Sequence, residues 1–228
     1  GTVGANKNSI KIIGDHTKLR VQAYFQYDSK KSGGVTISHL RFGKDHIRSS
    51  YYVSRADFVA CHCPAYLSQY DIVQDIKPGG TLLINGSFDI EHLGQVLPAR
   101  AKKYLADNNI QVYVCDATSL AREIGLGNRT NMILQAAFFK LANIIPIDDA
   151  VKYMKTAIVK TYGHKGDDIV AMNQAAVDAG LNAVTRLDIP AQWSECQEET
   201  AAPAVYTKRA DLKAYVENVL IPANNMKG

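Results

Sequence analysis

Cysteine is scarce in this sequence: Cys61, Cys63, Cys115 and Cys196 are the only four in 228 residues, and no two form a Cys-x-x-Cys pair. No iron–sulfur run and no zinc-finger spacing can be built from them. Cys61 and Cys115 sit in apolar strand-like runs, where a buried free thiol is the plain expectation, and the expected compartment is a reducing cytoplasm. Long apolar runs are missing as well. None reaches the roughly 18 residues of a membrane span, and no basic segment followed by an apolar one opens the chain, so neither a membrane anchor nor export is expected. Blocks of Lys and Arg are missing too. A net charge of +4 without such a block argues against nucleic acid as the partner and for a local anion site. No methionine precedes Gly1, which makes a processed or excised piece the expectation.

What is present reads as a globular α/β protein. The 46% hydrophobic and 21% charged fractions are ordinary for a packed domain, and the length suffices for a real core. NKNSIKII, residues 6–13, predicts a short helix closed by Gly14 and entered through a Gly-Thr-Val-Gly turn. LRVQAYF (19–25) and VTISHLRF (35–42) predict strands, and HIRSSYYV (46–53) a further strand after the Gly43 turn. ADFVACHC (56–63) is a continuous apolar run that suits an interior strand covered on both faces. Pro64 predicts the start of a helix over residues 65–76, ended by KPGG. TLLING and IQVYVCDA read as two more buried strands, separated by one helix within residues 91–107.

That rhythm predicts a mostly parallel, doubly wound, Rossmann-like sheet with helices on both faces. Beyond it NRTNMILQAAFFKLANII predicts a long helix with Met132, Ile133, Ala136, Ala137 and Leu141 near one face, followed by two more amphipathic helices. Residues 1–187 are expected to form this α/β unit. Residues 188–228, with Pro190, Trp193, an acidic run, Pro203 and one short helix, are expected to form an extended C-terminal arm.

Three turns combine backbone donors with cations. GTVGANKNS places two glycines and Lys7 at the mouth of a helix, where free N–H groups attract an anion. It meets neither the P-loop nor the strand-first dinucleotide pattern, which argues against a nucleotide-binding dehydrogenase. DSKKSGG sets Lys30, Lys31, Ser32 and Gly33 in one tight turn, able to offer charge and amides to a single oxyanion. GLGNRTN brings Asn128, Arg129 and Asn131 to the start of the next helix, with Asn128 a possible cap. Each turn has a plain reading: solvated lysines, glycines shaping a bend, a cap. Their joint occurrence points to a ligand with several phosphates, provided the three converge in space. Cys61, His62 and Cys63 alternate across a strand and cannot meet on one metal. His39 and His46 lack a nucleophile, and no paired-carboxylate site is present.

GTVGANKNSIKIIG, YFQYDSKKSGGVTISHLRFG and GLGNRTNMILQAAFFKLANIIP, in this order, resemble the pyruvate:ferredoxin (flavodoxin) oxidoreductases. The resemblance is to the internal domain equivalent to the separate γ subunit of 2-oxoacid oxidoreductases. It implies a strand and glycine-rich turn ahead of Gly1. It also implies a parent enzyme, a homodimer, that decarboxylates pyruvate on thiamine diphosphate with Mg2+. The parent would pass electrons through [4Fe–4S] clusters to ferredoxin or flavodoxin and deliver the acetyl group to coenzyme A. The cofactors would sit in other domains, and this domain would bind CoA through Lys7, Lys30, Lys31, Ser32, Gly33, Asn128, Arg129 and Asn131, with no catalytic residue of its own. The alternative is an assembly module without a ligand, using the arm and Trp193 as interface.

Overall fold

In a computed structural model of the chain, residues 2–28, 34–48, 51–197 and 209–221 are described. Alternation along three apolar strands divides the interior into two cores. β3 (Ala56–Cys61), β4 (Ile76–Asn85) and β5 (Gln111–Cys115) run parallel, and β6 (Thr185–Leu187) closes the order β3-β4-β5-β6 antiparallel to β5. Leu83 and Cys115 face one core, while Leu82, Ile84, Val112 and Val114 face the other, as the two-residue period of a strand requires. The first core is covered by α1 (Thr2–His16), α5 (Ala117–Ile124), α6 (Asn131–Ala142), α7 (Ile147–Tyr162) and α8 (Asp167–Asn182). The second is covered by α2 (Tyr66–Gln69), α3 (Ile90–Val96), α4 (Ala99–Asp107) and a 3-10 turn, Ala191–Glu195. The fold is α/β, with a mostly parallel sheet and helices on both faces.

A separate antiparallel ribbon, β1 (Arg20–Tyr27) with β2 (Thr36–Gly43), packs on α1. Two strands alone have marginal stability in water, so the helix beneath stabilises the ribbon and fixes its position.

Local chemistry explains where sequence expectation and structure differ. α1 starts at Thr2 and runs to His16, so Gly4 belongs to its first turn and Gly14 to its interior; the bare Cα of Gly14 receives Val21 of the ribbon. Residues 46–48 and 51–53 form no strand, because residues 51–53 bond to ribbon side chains and not to its backbone ladder. β3 has both faces covered, yet β4 is its single neighbour in the described sheet. The helix expected over 65–76 shrinks to the single turn α2, and β4 already begins at Ile76. The Lys-Pro-Gly-Gly stretch is a bulge inside that strand: Ala56 pairs with Ile76 but Phe58 with Thr81. Gly79 has φ +75°, and a Cβ on Gly80 would lie 2.8 Å from Lys77 O, so only glycines fit.

Residues 91–107 hold two helices because Pro98 disfavours the helical conformation of the residue before it; α3 ends at Val96 and α4 starts at Ala99. α6 is buried almost all round, from Met132 to Ala137 and at Phe139, and not along one face. The C-terminal stretch is anchored at its start. Trp193 is 8% exposed inside the second core, and Lys103 Nζ donates to Ser194 O at 2.6 Å. A short helix, α9 (Ala210–Tyr215), follows later.

Candidate functional site

Two of the three anion-seeking turns meet where α1 begins. Gly4, Ala5 and Asn8 of α1 and Asn131 and Met132 of α6 line one cleft of about 190 Å³, closed by Ala157, Ile158, Thr161 and Tyr162 of α7. The helix start supplies backbone N–H groups without intrahelical partners, and a Cβ on Gly4 would meet nothing within 4 Å. The cleft therefore joins free donors, two amide side chains and two hydroxyl-bearing side chains over an apolar floor. Such a set can orient a flexible, partly polar ligand.

Lys7 extends from α1 over the ribbon, its Nζ 5.4 Å from the centre of the Phe25 ring. It is exposed and has no carboxylate partner among the described residues. Phe25 lies three residues before Asp28, about 10 Å along the strand. Asp28 N–H donates to Val35 O at 3.1 Å, so the two ends of the 29–33 segment leave the ribbon at one point. Lys30, Lys31, Ser32 and Gly33 lie outside the described residues. What the structure fixes is where the segment leaves the ribbon, at Asp28 and Val35, with Asp28 just beyond the strand that carries the ring beneath Lys7.

Asn128 and Arg129 are exposed on the turn that leads into α6. Gly125 ends α5 in a left-handed C-cap, φ +91°, as a glycine at that position favours. Arg129 N–H donates to Leu126 O at 3.2 Å. The N-cap of α6 is Thr130, without a side-chain cap bond; Asn128 sits too far back to cap. The open N–H groups of α6 beside Asn131 are thus not occupied by a side chain from their own turn.

Several buried polar groups lie outside the three turns. Asn85, buried at the end of β4, donates to His62 O at 3.0 Å and to Thr118 Oγ1 at 3.3 Å, and accepts from Ala117 N–H at 3.1 Å. It ties the carboxyl ends of β3 and β4 to the start of α5. His62 Nδ1 is buried without a partner among the described residues, and burial holds the ring down to about 4, so it is neutral. Gln135, one turn beyond Asn131 on α6, is buried with neither side-chain atom paired among the described residues. Its signal was a lone polar residue inside the apolar run Met132 to Phe139. Asn8, Thr161 and Tyr162 carried none, because only tertiary packing brings α1 and α7 together. Burial raises the thiols of Cys61 to about 12 and Cys115 to about 11, which keeps both protonated. No group of three or more His, Cys, Asp or Glu among the described residues is placed to hold a metal ion, and no described helix is long and apolar enough to cross a membrane.

Known proteins share this sequence and fold. The chain is 52% identical over all 228 residues to pyruvate:ferredoxin oxidoreductase from Moorella thermoacetica, and covers 19% of that protein. It is 48% identical over the same length to pyruvate-flavodoxin oxidoreductase from Enterobacter agglomerans, again 19% of that protein. The chain thus spans about a fifth of the length of these curated relatives. Among solved structures, the pyruvate oxidoreductase subunit PORC from Thermotoga maritima matches with a TM-score of 0.64 at 20% identity, covering 82% of this chain and 91% of that one. A 2-oxoglutarate:ferredoxin oxidoreductase from Magnetococcus marinus, solved with 2-oxoglutarate, coenzyme A and succinyl-CoA bound, matches with a TM-score of 0.56 at 17% identity, over 80% of this chain and 29% of that one. These two likenesses concern the fold. With a model of pyruvate ferredoxin/flavodoxin oxidoreductase matching residues 1–183, this chain belongs to that family.

Proposed function

We propose that the chain is the CoA-binding domain of a cytoplasmic pyruvate:ferredoxin or pyruvate:flavodoxin oxidoreductase. It presents the thiol of CoA to an acetyl-bearing thiamine diphosphate held elsewhere in a homodimeric parent. Thiamine diphosphate, Mg2+ and the [4Fe–4S] clusters belong in this reading to other domains, as does the docking of ferredoxin or flavodoxin. Residues 1–187 form the binding unit and 188–228 an arm that docks on the second core at Trp193 and from there reaches neighbouring domains.

One observation carries the reading: Lys7, an ammonium without a carboxylate partner among the described residues, reaches from α1, whose start lines the amide-bearing cleft, to Phe25 on the strand that leads to the segment of Lys30 and Lys31. CoA brings a 3′-phosphate and a diphosphate, about four negative charges near neutral pH. Lys7, Lys30 and Lys31 supply countercharge, Ser32 and the Gly33 amide supply donors, and Asn128, Arg129 and Asn131 form a second wall. Exposed ion pairs contribute only about 0–1 kcal/mol each, so several must act together. The domain alone should bind near millimolar, about −4 kcal/mol. That the Magnetococcus protein is described with coenzyme A bound supports the choice of ligand.

The test is a calorimetric titration of the chain. CoA should bind more tightly than dephospho-CoA, and Lys30→Ala with Lys31→Ala should weaken CoA about tenfold, close to 1.4 kcal/mol. Equal affinities for the two nucleotides would remove the 3′-phosphate from the site. A second reading, an assembly module without its own ligand, no longer draws on Trp193, which lies in the chain's own core. It draws instead on the exposed Tyr24, Tyr27, Tyr51 and Tyr52 around the ribbon, since aromatic residues are enriched at interfaces. No CoA binding in the titration would favour it.

A further inference from the structure

Residues 51–53 cross the outer face of the ribbon. Alternation on the paired strands puts Gln22, Tyr24 and Gln26 of β1 on that face with Arg41, His39 and Ile37 of β2, while Val21 and Phe25 on the other face meet Gly14 and Lys7 of α1. Two side chains hold the crossing segment. Val53 N–H donates to His39 Nδ1 at 3.0 Å. Arg41 Nη2 donates to Tyr52 O at 3.0 Å and also to Tyr51 O, while Arg41 Nη1 reaches Gln22 Oε1 at 3.0 Å. Tyr52 stacks on His39, centroids 5.0 Å apart and planes 23° apart, and lies 5.6 Å from Tyr24.

The bond to Val53 fixes where the imidazole proton sits. A ring nitrogen that accepts from a backbone N–H carries no hydrogen, so the proton is on Nε2, which faces Gln26 Oε1 at 3.4 Å. A second proton on Nδ1 would set N–H against N–H at Val53. It would also place a cation two residues from Arg41 on the same face. The groups that meet the ring, Gln26, Tyr24, Tyr52 and Val53, include no carboxylate, and the charged neighbour, Arg41, is a cation. Burial first, and the Arg41 charge second, lower the affinity of His39 for that proton.

We propose that residues 51–53 form a proton-released strap: neutral His39 fastens them to the ribbon, and protonation at Nδ1 frees them from the outer face that Gln22 and Tyr24 share. In the freed state the ring returns toward its ordinary value near 6.5. The freed form therefore takes up the proton first. Fastening is complete above about pH 6.5 and weakens as the pH falls toward the lowered value of the fastened ring.

The experiment is amide-resolved hydrogen exchange by NMR on the 228-residue chain, with the His39 ring nitrogens followed in the same samples. Between pH 7.5 and pH 5.5 the protection factor of the Val53 amide, relative to ladder amides of β1 and β2, should fall measurably, by at most about tenfold. Nδ1 should be unprotonated at pH 7.5 and titrate in step with that fall. His39→Gln keeps an acceptor but does not titrate, so Val53 protection in it should change by less than about twofold over the same range. If that variant does not fold, the wild-type ring and amide data decide. Val53 protection that stays flat while the ring titrates, or a proton on Nδ1 at pH 7.5, would overturn the proposal.

Discussion

The contact between α6 and α8 leaves no room for one methyl group. A Cβ on Gly180 would lie 2.2 Å from Ile133 O and 2.9 Å from both Ile133 C and Cα, whereas a carbon normally meets a carbonyl oxygen at about 3.3–3.6 Å. Gly180→Ala must therefore drive the helices apart by about 1 Å, and the obstacle is backbone that cannot rotate away. Alanine gains about 1 kcal/mol of helix propensity over glycine. Overpacking a closed core costs about 1–3 kcal/mol and occasionally more, and the surroundings here, Ile133, Ala136, Ala137, Ala176 and Val177, are all fully buried. The backbone clash places this site at or beyond the upper end, for a net loss of about 2 kcal/mol or more. At roughly 2–4 °C per kcal/mol for a chain of this size, the melting temperature should drop by about 4–8 °C or more. Differential scanning calorimetry measures it. Gly163→Ala is the control: nothing lies within 4 Å of its Cβ and φ is −54°, so it should be neutral or stabilising by up to about 1 kcal/mol. A melting temperature of Gly180→Ala at or above wild type would refute the described approach of α8 to α6. Ile133 lies two residues from Asn131, so the same displacement would move one wall of the cleft and, in the proposed reading, weaken CoA binding.

Trp193→Ala should cost about 3–5 kcal/mol in urea unfolding, the usual loss for a buried large aromatic; a loss under about 1 kcal/mol would mean that the indole does not fill the second core. His62 makes stability depend on pH. Its folded value near 4 lies below the ordinary 6.5, so the neutral ring's contribution is complete above pH 6.5. That contribution is lost as the pH falls toward 4, amounting to about 3 kcal/mol. His62→Leu should flatten that part of the stability profile, and an unchanged slope would assign it to another group. Cys61 and Cys115, buried with raised thiols, should resist iodoacetamide in the native chain, while the half-buried Cys63 and Cys196 react first; mass spectrometry of the alkylated peptides reads the order.

The central strands were legible because both of their faces are buried and the apolar run shows through, as in Leu82, Leu83 and Ile84. Helices α7 and α8 were legible because one face of each meets solvent. Legibility failed where a residue obeys a partner distant in sequence. Gly14 reads as a helix stop, but it is the seat for Val21 of the ribbon. Pro78, Gly79 and Gly80 read as a helix end, but they bulge β4 against β3. Trp193 reads as an exposed anchor until the packing of α4 against its turn is known. At the candidate site, Lys7 and Asn131 stood out by type and by neighbouring glycines. Asn8, Thr161 and Tyr162 look like ordinary polar positions on helices, and only the meeting of α1, α6 and α7 gives them a common cleft.

The central claim is that the start of α1, the 28–35 turn and the 128–131 turn serve one polyanion. Titrating CoA into the isotopically labelled chain and following backbone amides by NMR tests it most directly. The account predicts that amides of residues 3–8, 28–35 and 128–132 shift together along one binding curve near millimolar, about −4 kcal/mol. Shifts confined to one of these segments, or lying elsewhere on the surface, would contradict it.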